Sequence, residues 1–151
     1  VQPGVVIDDP VSSPDFFPTF LEVAGAGAPA GQKLDGVSLA SLLKGGATLP
    51  HRPLFWHYPH YGNQGGAPGG AVREGDWKLI EWYEDGRREL YNLREDPGEQ
   101  RDLAAHLSAA VEHLAAKLHA WRQETGALMP TANPSYDPAK PSGRAAKRTA
   151  R

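Results

Sequence analysis

Residues Gly70–Leu103, GAVREGDWKLIEWYEDGRRELYNLREDPGEQRDL, contain three short runs rich in Trp, Tyr, Ile and Leu that Gly and Asp residues separate. Such runs between turn residues are typical of β-strands. Gly75-Asp76 predicts a two-residue hairpin turn. Glu84-Asp85-Gly86 predicts a three-residue turn with Gly86 in the left-handed conformation. The stretch therefore predicts a three-stranded antiparallel meander, and we expect a fourth strand from Pro53–Tyr58.

Both faces of the middle strand carry apolar side chains. One face carries Trp77, Leu79, Glu81 and Tyr83, and the other carries Lys78, Ile80 and Trp82. Because neither face is purely polar, we expect one to pack on a helix and the other on something beyond this sheet.

A long amphipathic helix is predicted after the meander, with Ser108 as its cap and Gly126 and Pro130 as its stop. Its apolar side carries Val111, Leu114, Ala115, Leu118 and Trp121, and its other side carries Glu112, Lys117 and Arg122. We expect this helix to cover one face of the sheet, so the predicted fold class is α+β.

The segment before the sheet predicts helices joined by loops. A helix over residues 13–24 is expected, with Ser13 as N-cap, Pro14 at its first position and Asp15 complementing its positive end. Phe16, Phe17, Phe20, Leu21 and Ala24 form its apolar face. A short helix is predicted at Leu39–Leu43 and an edge strand at Val5-Val6-Ile7. Asn63–Gly70 is predicted to be a Gly-rich loop.

Composition limits the partners of this chain of 151 residues. It has no Cys, which excludes disulfides and thiolate metal sites. No apolar run approaches the eighteen or so residues that span a bilayer, so no membrane partner is expected. Residues 131–151 contain few bulky apolar side chains and are expected to lack a fold of their own. Their five cations near the end are interpreted as a solvated tail, so no nucleic-acid partner is expected. The first residue is Val rather than Met, which favours a piece of a longer protein.

The motif His57-x-x-His60, flanked by Tyr58 and Tyr61, is the strongest candidate for a site. Two imidazoles at this spacing bind a metal if the segment is helical, but no carboxylate accompanies them. A second interpretation is that aromatic rings and imidazoles pack under a loop at a strand end. A third is a polar rim that binds an anionic or sugar-like ligand, since Tyr and His offer both flat faces and hydrogen bonds.

Several segments, in the same order, resemble the C-terminal part of the sulfatase family, the arylsulfatase-type enzymes of the alkaline phosphatase superfamily. The motifs are D-x-x-P-T at Asp15–Thr19, L-D-G-x-S-L at Leu34–Leu39, G-x-W-K-L at Gly75–Leu79, E-L-Y-N-L at Glu89–Leu93 and D-P-x-E at Asp96–Glu99. The resemblance implies that residues 1–50 end the large α/β domain and that residues 51–130 form the small C-terminal subdomain. Residues 131–151 remain as a Pro-rich basic tail.

The resemblance also implies what this chain lacks. Sulfatases of this kind use a formylglycine made in a Cys/Ser-x-Pro-x-Arg motif and a bound calcium, and in the family both lie upstream of these segments. Ser12-Ser13-Pro14 is followed by Asp15 and Phe16 rather than by the required Arg. No catalytic or metal-binding residue is therefore carried over, no cofactor is expected in this chain, and the chain alone is expected to be inactive. A periplasmic or secreted location is what the family suggests.

Two hypotheses follow. The first is a C-terminal sulfatase fragment that completes the fold, needs the missing N-terminal domain as its partner, and lines one rim of the cleft, with His57 and His60 contacting a sulfated small molecule or glycan. Alone, such a fragment is expected to self-associate through exposed apolar surface. The second is a non-catalytic module that binds sulfated glycans or serves a structural role.

Overall fold

The centre of the molecule is a four-stranded antiparallel sheet. The computed structural model describes residues 3–46, 48–62, 66–135 and 137. The strands follow the order β1-β2-β3-β4 and comprise Leu54–Tyr58, Gly69–Glu74, Trp77–Trp82 and Arg88–Asn92. The predicted meander and its fourth strand are thereby confirmed.

The predicted two-residue turn joins β2 and β3, whereas the loop between β3 and β4 is longer than the predicted three residues, because the N–H of Trp82 bonds to the carbonyl oxygen of Arg87. Gly75 lies between β2 and β3 with a φ of 58°, and Gly86 lies between β3 and β4 with a φ of 70°. Both values are in the left-handed region that glycine adopts without penalty. The loop predicted over Asn63–Gly70 extends two residues too far, because Gly69 and Gly70 belong to β2 and pair with Tyr58 and His57 of β1. Residues 63–65 of that loop lie outside the described residues.

Helix α3, Ser108–Thr125, covers one face of the sheet as predicted. The core between them consists of Val72, Leu79, Leu90, Val111, Leu114, Ala115 and Leu118. At its margin, the rings of Phe55 and Trp121 stack with their centroids 5.0 Å apart. The helix ends at Gly126 with a φ of 63°, whereas its N-cap is Leu107 rather than the predicted Ser108, which is already helical.

One residue of α3 lies on the buried side of the helix, although it was predicted to lie on the solvated side. Arg122 was expected among the solvated residues, but it is buried and bonds to Glu81 on β3. The physical reason is its spacing: Arg122 follows Leu118 by four residues and therefore lies on the same face of the helix.

A helical layer precedes the sheet. It consists of a 3₁₀ turn at Ser13–Asp15 and two helices, α1 (Phe16–Val23) and α2 (Ala40–Leu43). Both predicted helices are confirmed, although the first is capped at Ser12 rather than Ser13. The predicted edge strand at Val5-Val6-Ile7 is wrong. These residues are exposed and outside the sheet, since strand propensity alone makes no strand without a partner edge.

The fully buried carboxylate of Asp15 joins this layer to the sheet. It accepts backbone N–H groups from Ser12 at 2.8 Å and Val37 at 3.0 Å, and the guanidinium of Arg52 at 2.5 Å. Arg52 lies two residues before β1. Asp15, which was predicted only to complement the positive end of a helix, therefore also joins the helical layer to the sheet. Burial raises the pKa of Asp15, but these donors outweigh it and hold the pKa below its usual value.

Gly36 makes this junction possible. A Cβ at position 36 would lie 2.2 Å from the carbonyl oxygen of Pro14. Only glycine therefore lets the chain approach close enough for the next residue, Val37, to donate its N–H to Asp15. The L-D-G motif thus has a packing explanation in this fold.

Candidate functional site

The end of β1 separates the two candidate histidines. His57 and Tyr58 are neighbours in a strand and therefore project to opposite faces of the sheet. His57 faces the α3 side, where its Nδ1 lies 2.7 Å from the Tyr83 hydroxyl and its Nε2 lies 2.9 Å from the carbonyl oxygen of Leu128. Both ring nitrogens therefore have partners within the chain.

The partners of His57 determine where its hydrogen lies. A carbonyl oxygen only accepts, so Nε2 carries the hydrogen that is donated to Leu128. In a neutral imidazole Nδ1 is then an acceptor, and the Tyr83 hydroxyl donates to it. Burial raises the pKa of that hydroxyl more than the nearby Arg122 lowers it, so the hydroxyl keeps its proton at neutral pH.

His60 lies beyond the strand and is exposed. Its ring meets the ring of Tyr58 edge-on, with centroids 5.6 Å apart and planes at 90°. The hydroxyl of the following aromatic residue, Tyr61, donates to Glu84 Oε1 at 2.5 Å. The structure therefore brings His60, Tyr58 and Tyr61 together at one end of the sheet, while His57 takes its partners on the other side.

The sheet face opposite α3 forms an open groove of about 490 Å³. Its side chains come from three strands in register, since Trp56 pairs with Ala71 and Ala71 with Ile80. Tyr58 and Trp82 extend the aromatic lining, and the ion pair between Lys78 and Glu99, at 2.6 Å, lies at its edge. This is the second apolar face that the sequence predicts.

The sequence did not predict which residues line the groove together, although it showed which side chains of β3 lie on each face. Trp56 and Trp82 share a face only because β1 and β3 pair with β2 in a particular register, and that register depends on where the loop before β2 ends. The Tyr83 partner of His57 was also missed. The alternation along β3 could have indicated this contact, because it places Tyr83 on the same face as Leu79, the face that α3 covers.

Charged side chains lie beside Tyr83 on the α3 side of the sheet. Arg122 donates to Glu81 Oε1 at 2.7 Å, Arg88 donates to Glu81 Oε2 at 3.0 Å, and the Arg122 guanidinium lies 5.4 Å from the Tyr83 ring centre. Burial alone raises the pKa of Glu81, but the two guanidinium groups outweigh it and hold that pKa below its usual value. The group beside Tyr83 is therefore a charged pair rather than a neutral acid.

The described residues do not supply a metal site. No group of three or more His, Asp or Glu side chains within residues 3–46, 48–62, 66–135 and 137 converges on one point. In the same part of the chain no helix is long and apolar enough to cross a membrane.

The motifs and the fold agree with a family comparison. The model of the family described as N-sulphoglucosamine sulphohydrolase, C-terminal, matches residues 1–124. The chain belongs to this family, and the resemblance to the C-terminal region of sulfatases in the alkaline phosphatase superfamily is confirmed.

Individual relatives carry sulfatase names. A sulfatase of Formosa agariphila is 37% identical over 118 residues, which cover 68% of this chain and 21% of that protein. The Delta 4,5-hexuronate-2-O-sulfatase of Bacteroides thetaiotaomicron is 33% identical over 93 residues, 60% of this chain and 18% of that protein. The chain thus spans about a fifth of the length of these relatives.

The fold also matches solved structures. One, determined in complex with its substrate D-glucosamine-2-N,6-O-disulfate, aligns with a TM-score of 0.62 at 27% identity. The alignment covers 74% of this chain and 24% of that chain. The aligned part of this chain therefore corresponds to about a quarter of a larger chain, and the match agrees with the predicted α+β fold.

Proposed function

We propose that this chain is the C-terminal part of a sulfuric ester hydrolase, in which it completes the fold and forms one rim of the substrate cleft. The family match over residues 1–124 carries the proposal. The nucleophile is expected upstream, because the sequence has no Cys and no Ser-x-Pro-x-Arg motif. The contribution of this chain is to bind and orient the substrate, and no catalytic step is assigned to its residues.

The proposed substrate is a sulfated sugar. Two proteins similar to this chain are named for, or bound to, such compounds: a hexuronate-2-O-sulfatase and a glucosamine disulfate complex. His60, Tyr58 and Tyr61 offer the matching chemistry, because aromatic faces pack on sugar rings and an imidazole bonds hydroxyl or sulfate oxygens. His57 would have to give up Tyr83 or Leu128 before it could make the same contact.

The proposed partner is the catalytic α/β domain. Exposed aromatic side chains occur on two surfaces: Phe20 of α1 is 66% exposed, and Trp56 in the groove is 44% exposed. Large apolar side chains grouped in this way mark a surface that another body covers. We assign both surfaces to the catalytic domain, which leaves His60 at the edge of the contact.

A chimera tests the proposal directly. Residues 1–130 replace the matching region of the protein that was solved in complex with its substrate D-glucosamine-2-N,6-O-disulfate, and hydrolysis of that sugar is compared with that of 4-nitrophenyl sulfate. We expect His60→Ala to lower kcat/KM for the sugar about ten- to a hundredfold, the effect of one lost hydrogen bond to a charged group. The aryl sulfate, which lacks the sugar, should be much less affected.

The matched control is His119→Ala, which removes an exposed imidazole on α3. It should leave both substrates unaffected. An equal loss on both substrates in His60→Ala, or a fall in melting temperature without kinetic selectivity, would assign His60 a structural role.

The chain alone separates this proposal from a non-catalytic glycan-binding module. We expect no turnover of aryl or sugar sulfates by the isolated chain, with or without calcium, and no saturable binding of the glucosamine disulfate by calorimetry. Tight binding without the catalytic domain would instead favour the module.

A further inference from the structure

Tyr83 contacts both ends of the connector between β1 and β2, of which residues 59–62 and 66–68 are described. Its hydroxyl donates to His57, two residues before the connector begins. Its backbone N–H donates to the carbonyl oxygen of Pro68 at 2.9 Å, one residue before β2 begins. The residue just after β3 therefore holds the point where the chain leaves the sheet and the point where it returns.

The residue after Tyr83 adds a third contact with the same connector. Glu84 accepts the hydroxyl of Tyr61 at 2.5 Å. Glu84 and Tyr83 belong to a turn that is closed by the Gly86 N–H bonding to the carbonyl of Trp82 at 2.9 Å. The connector that carries His60 is thus fastened to a closed hairpin turn rather than to another loop.

Gly70 leaves the space that this arrangement needs. A Cβ at position 70 would lie 2.3 Å from the Tyr83 hydroxyl oxygen and 3.2 Å from the carbonyl oxygen of Trp56. Any side chain there would push the hydroxyl away from His57. The same hydroxyl reaches the C-terminal segment indirectly, because the other nitrogen of His57 bonds Leu128 just after α3.

We propose that Tyr83 is a positioning residue: through His57 and Pro68 it fixes the direction in which Tyr58-Pro59-His60 leaves the sheet. This assignment deepens the proposed function and rests on it for its kinetic consequence. His57 then acts as a link between Tyr83 and the segment after α3, and His60 is the group presented to substrate. Specificity for the sugar depends on a hydroxyl that does not touch the sugar.

The first test uses the isolated full chain and needs no activity. Nitrogen-15 NMR of the His57 ring should show hydrogen on Nε2 and an accepting Nδ1. Tyr83→Phe should shift the Nδ1 signal and the backbone amide signals of Tyr58, His60 and Leu128. The control Tyr91→Phe removes a hydroxyl bonded to Glu89 at 3.1 Å and should leave these signals in place. Hydrogen on Nδ1, or unchanged amide signals in Tyr83→Phe, would overturn the proposal.

The second test uses the active chimera. Tyr83→Phe and Gly70→Ala, which disturb the same hydroxyl from two sides, should each raise KM for the glucosamine disulfate about three- to tenfold. Neither kcat nor the kinetics on 4-nitrophenyl sulfate should change appreciably, and Tyr91→Phe should behave as wild type. If His60→Ala is selective for the sugar while Tyr83→Phe is not, the positioning role is wrong and the proposed function stands. If no chimera turns over, the proposed function fails and the NMR result alone decides the role of Tyr83.

Discussion

Arg122 of α3 bonds Glu81 of β3 at 2.7 Å in the layer between helix and sheet, with side chains only 10% and 13% exposed. The pair links the two elements that make up the core at the side where Tyr83 lies. Arg88 shares the same carboxylate and also bonds Glu112, so Glu81 belongs to a cluster of four charged residues.

Removing only one charge of this ion pair is expected to lower the free energy of unfolding. Glu81→Gln leaves the Arg122 guanidinium in place, and its Nη1 is already without a hydrogen-bond partner among the described atoms. We expect a loss of about 3 kcal/mol in the free energy of unfolding, near the low end for a broken buried pair. Urea unfolding of Glu81→Gln, Arg122→Met and the double variant measures this. The double variant should lose less than the sum of the two singles, and strict additivity would show that the pair is not coupled.

Acid should weaken the junction between the helical layer and the sheet. The folded-state pKa of Asp15 is below its usual value, so its stabilising effect is complete above the unfolded pKa and is lost as pH falls through the folded pKa. Urea midpoints between pH 2 and pH 6 should fall with decreasing pH. Asp15→Asn should flatten that slope by at most about 1.4 kcal/mol per pH unit, the limit for one proton.

Arg52→Gln is the matched comparison for Asp15. It removes the guanidinium but keeps the backbone N–H donors of Val37 and Ser12, both of which lower the Asp15 pKa against the effect of burial. The acid slope should therefore persist in weaker form. An unchanged slope in Asp15→Asn would mean that other carboxylates, such as Glu81, account for it.

Gly36→Ala should be among the most damaging single-methyl additions in the chain. The new Cβ would meet the backbone carbonyl of Pro14 at 2.2 Å, and backbone cannot rotate away as a side chain does. Overpacking of this kind costs about 1–3 kcal/mol. Gly27→Ala is the control, because its Cβ would meet nothing within 4 Å. Thermal unfolding of both variants decides the point, and equal melting temperatures would contradict the close approach at Gly36.

The isolated chain is expected to self-associate. The exposed rings of Phe16, Phe17 and Phe20 on α1 and of Trp56 in the groove are the surfaces assigned to the catalytic domain. Light scattering over a concentration series should show oligomers that Phe20→Glu or Trp56→Glu reduces. A monomer at all concentrations that also fails to bind an apolar dye would count against a covered surface.

Local sequence patterns predicted the sheet and its helix well, because hairpin turns and a long amphipathic helix depend on residues close in the chain. The division at residue 50 and the roles of His57 and His60 in substrate contact stay predictions. Contacts between distant residues were harder. Asp15 meets Arg52 across 37 positions and His57 meets Tyr83 across 26, and no short motif encodes either distance. The side of α3 that carries Arg122 was misjudged although its spacing from Leu118 was available.

The Asp15 junction has a consequence for the order in which a growing polypeptide acquires structure. Its three donors come from positions 12, 37 and 52, and the first strand starts at position 54. Synthesis proceeds from the amino end, so the carboxylate remains hydrated until Arg52 has left the ribosome. By then β1 is only beginning to emerge, and its partner β2 is still inside the exit tunnel. We therefore expect the helical layer to close before the sheet can pair, with Arg52 already anchored as β1 emerges.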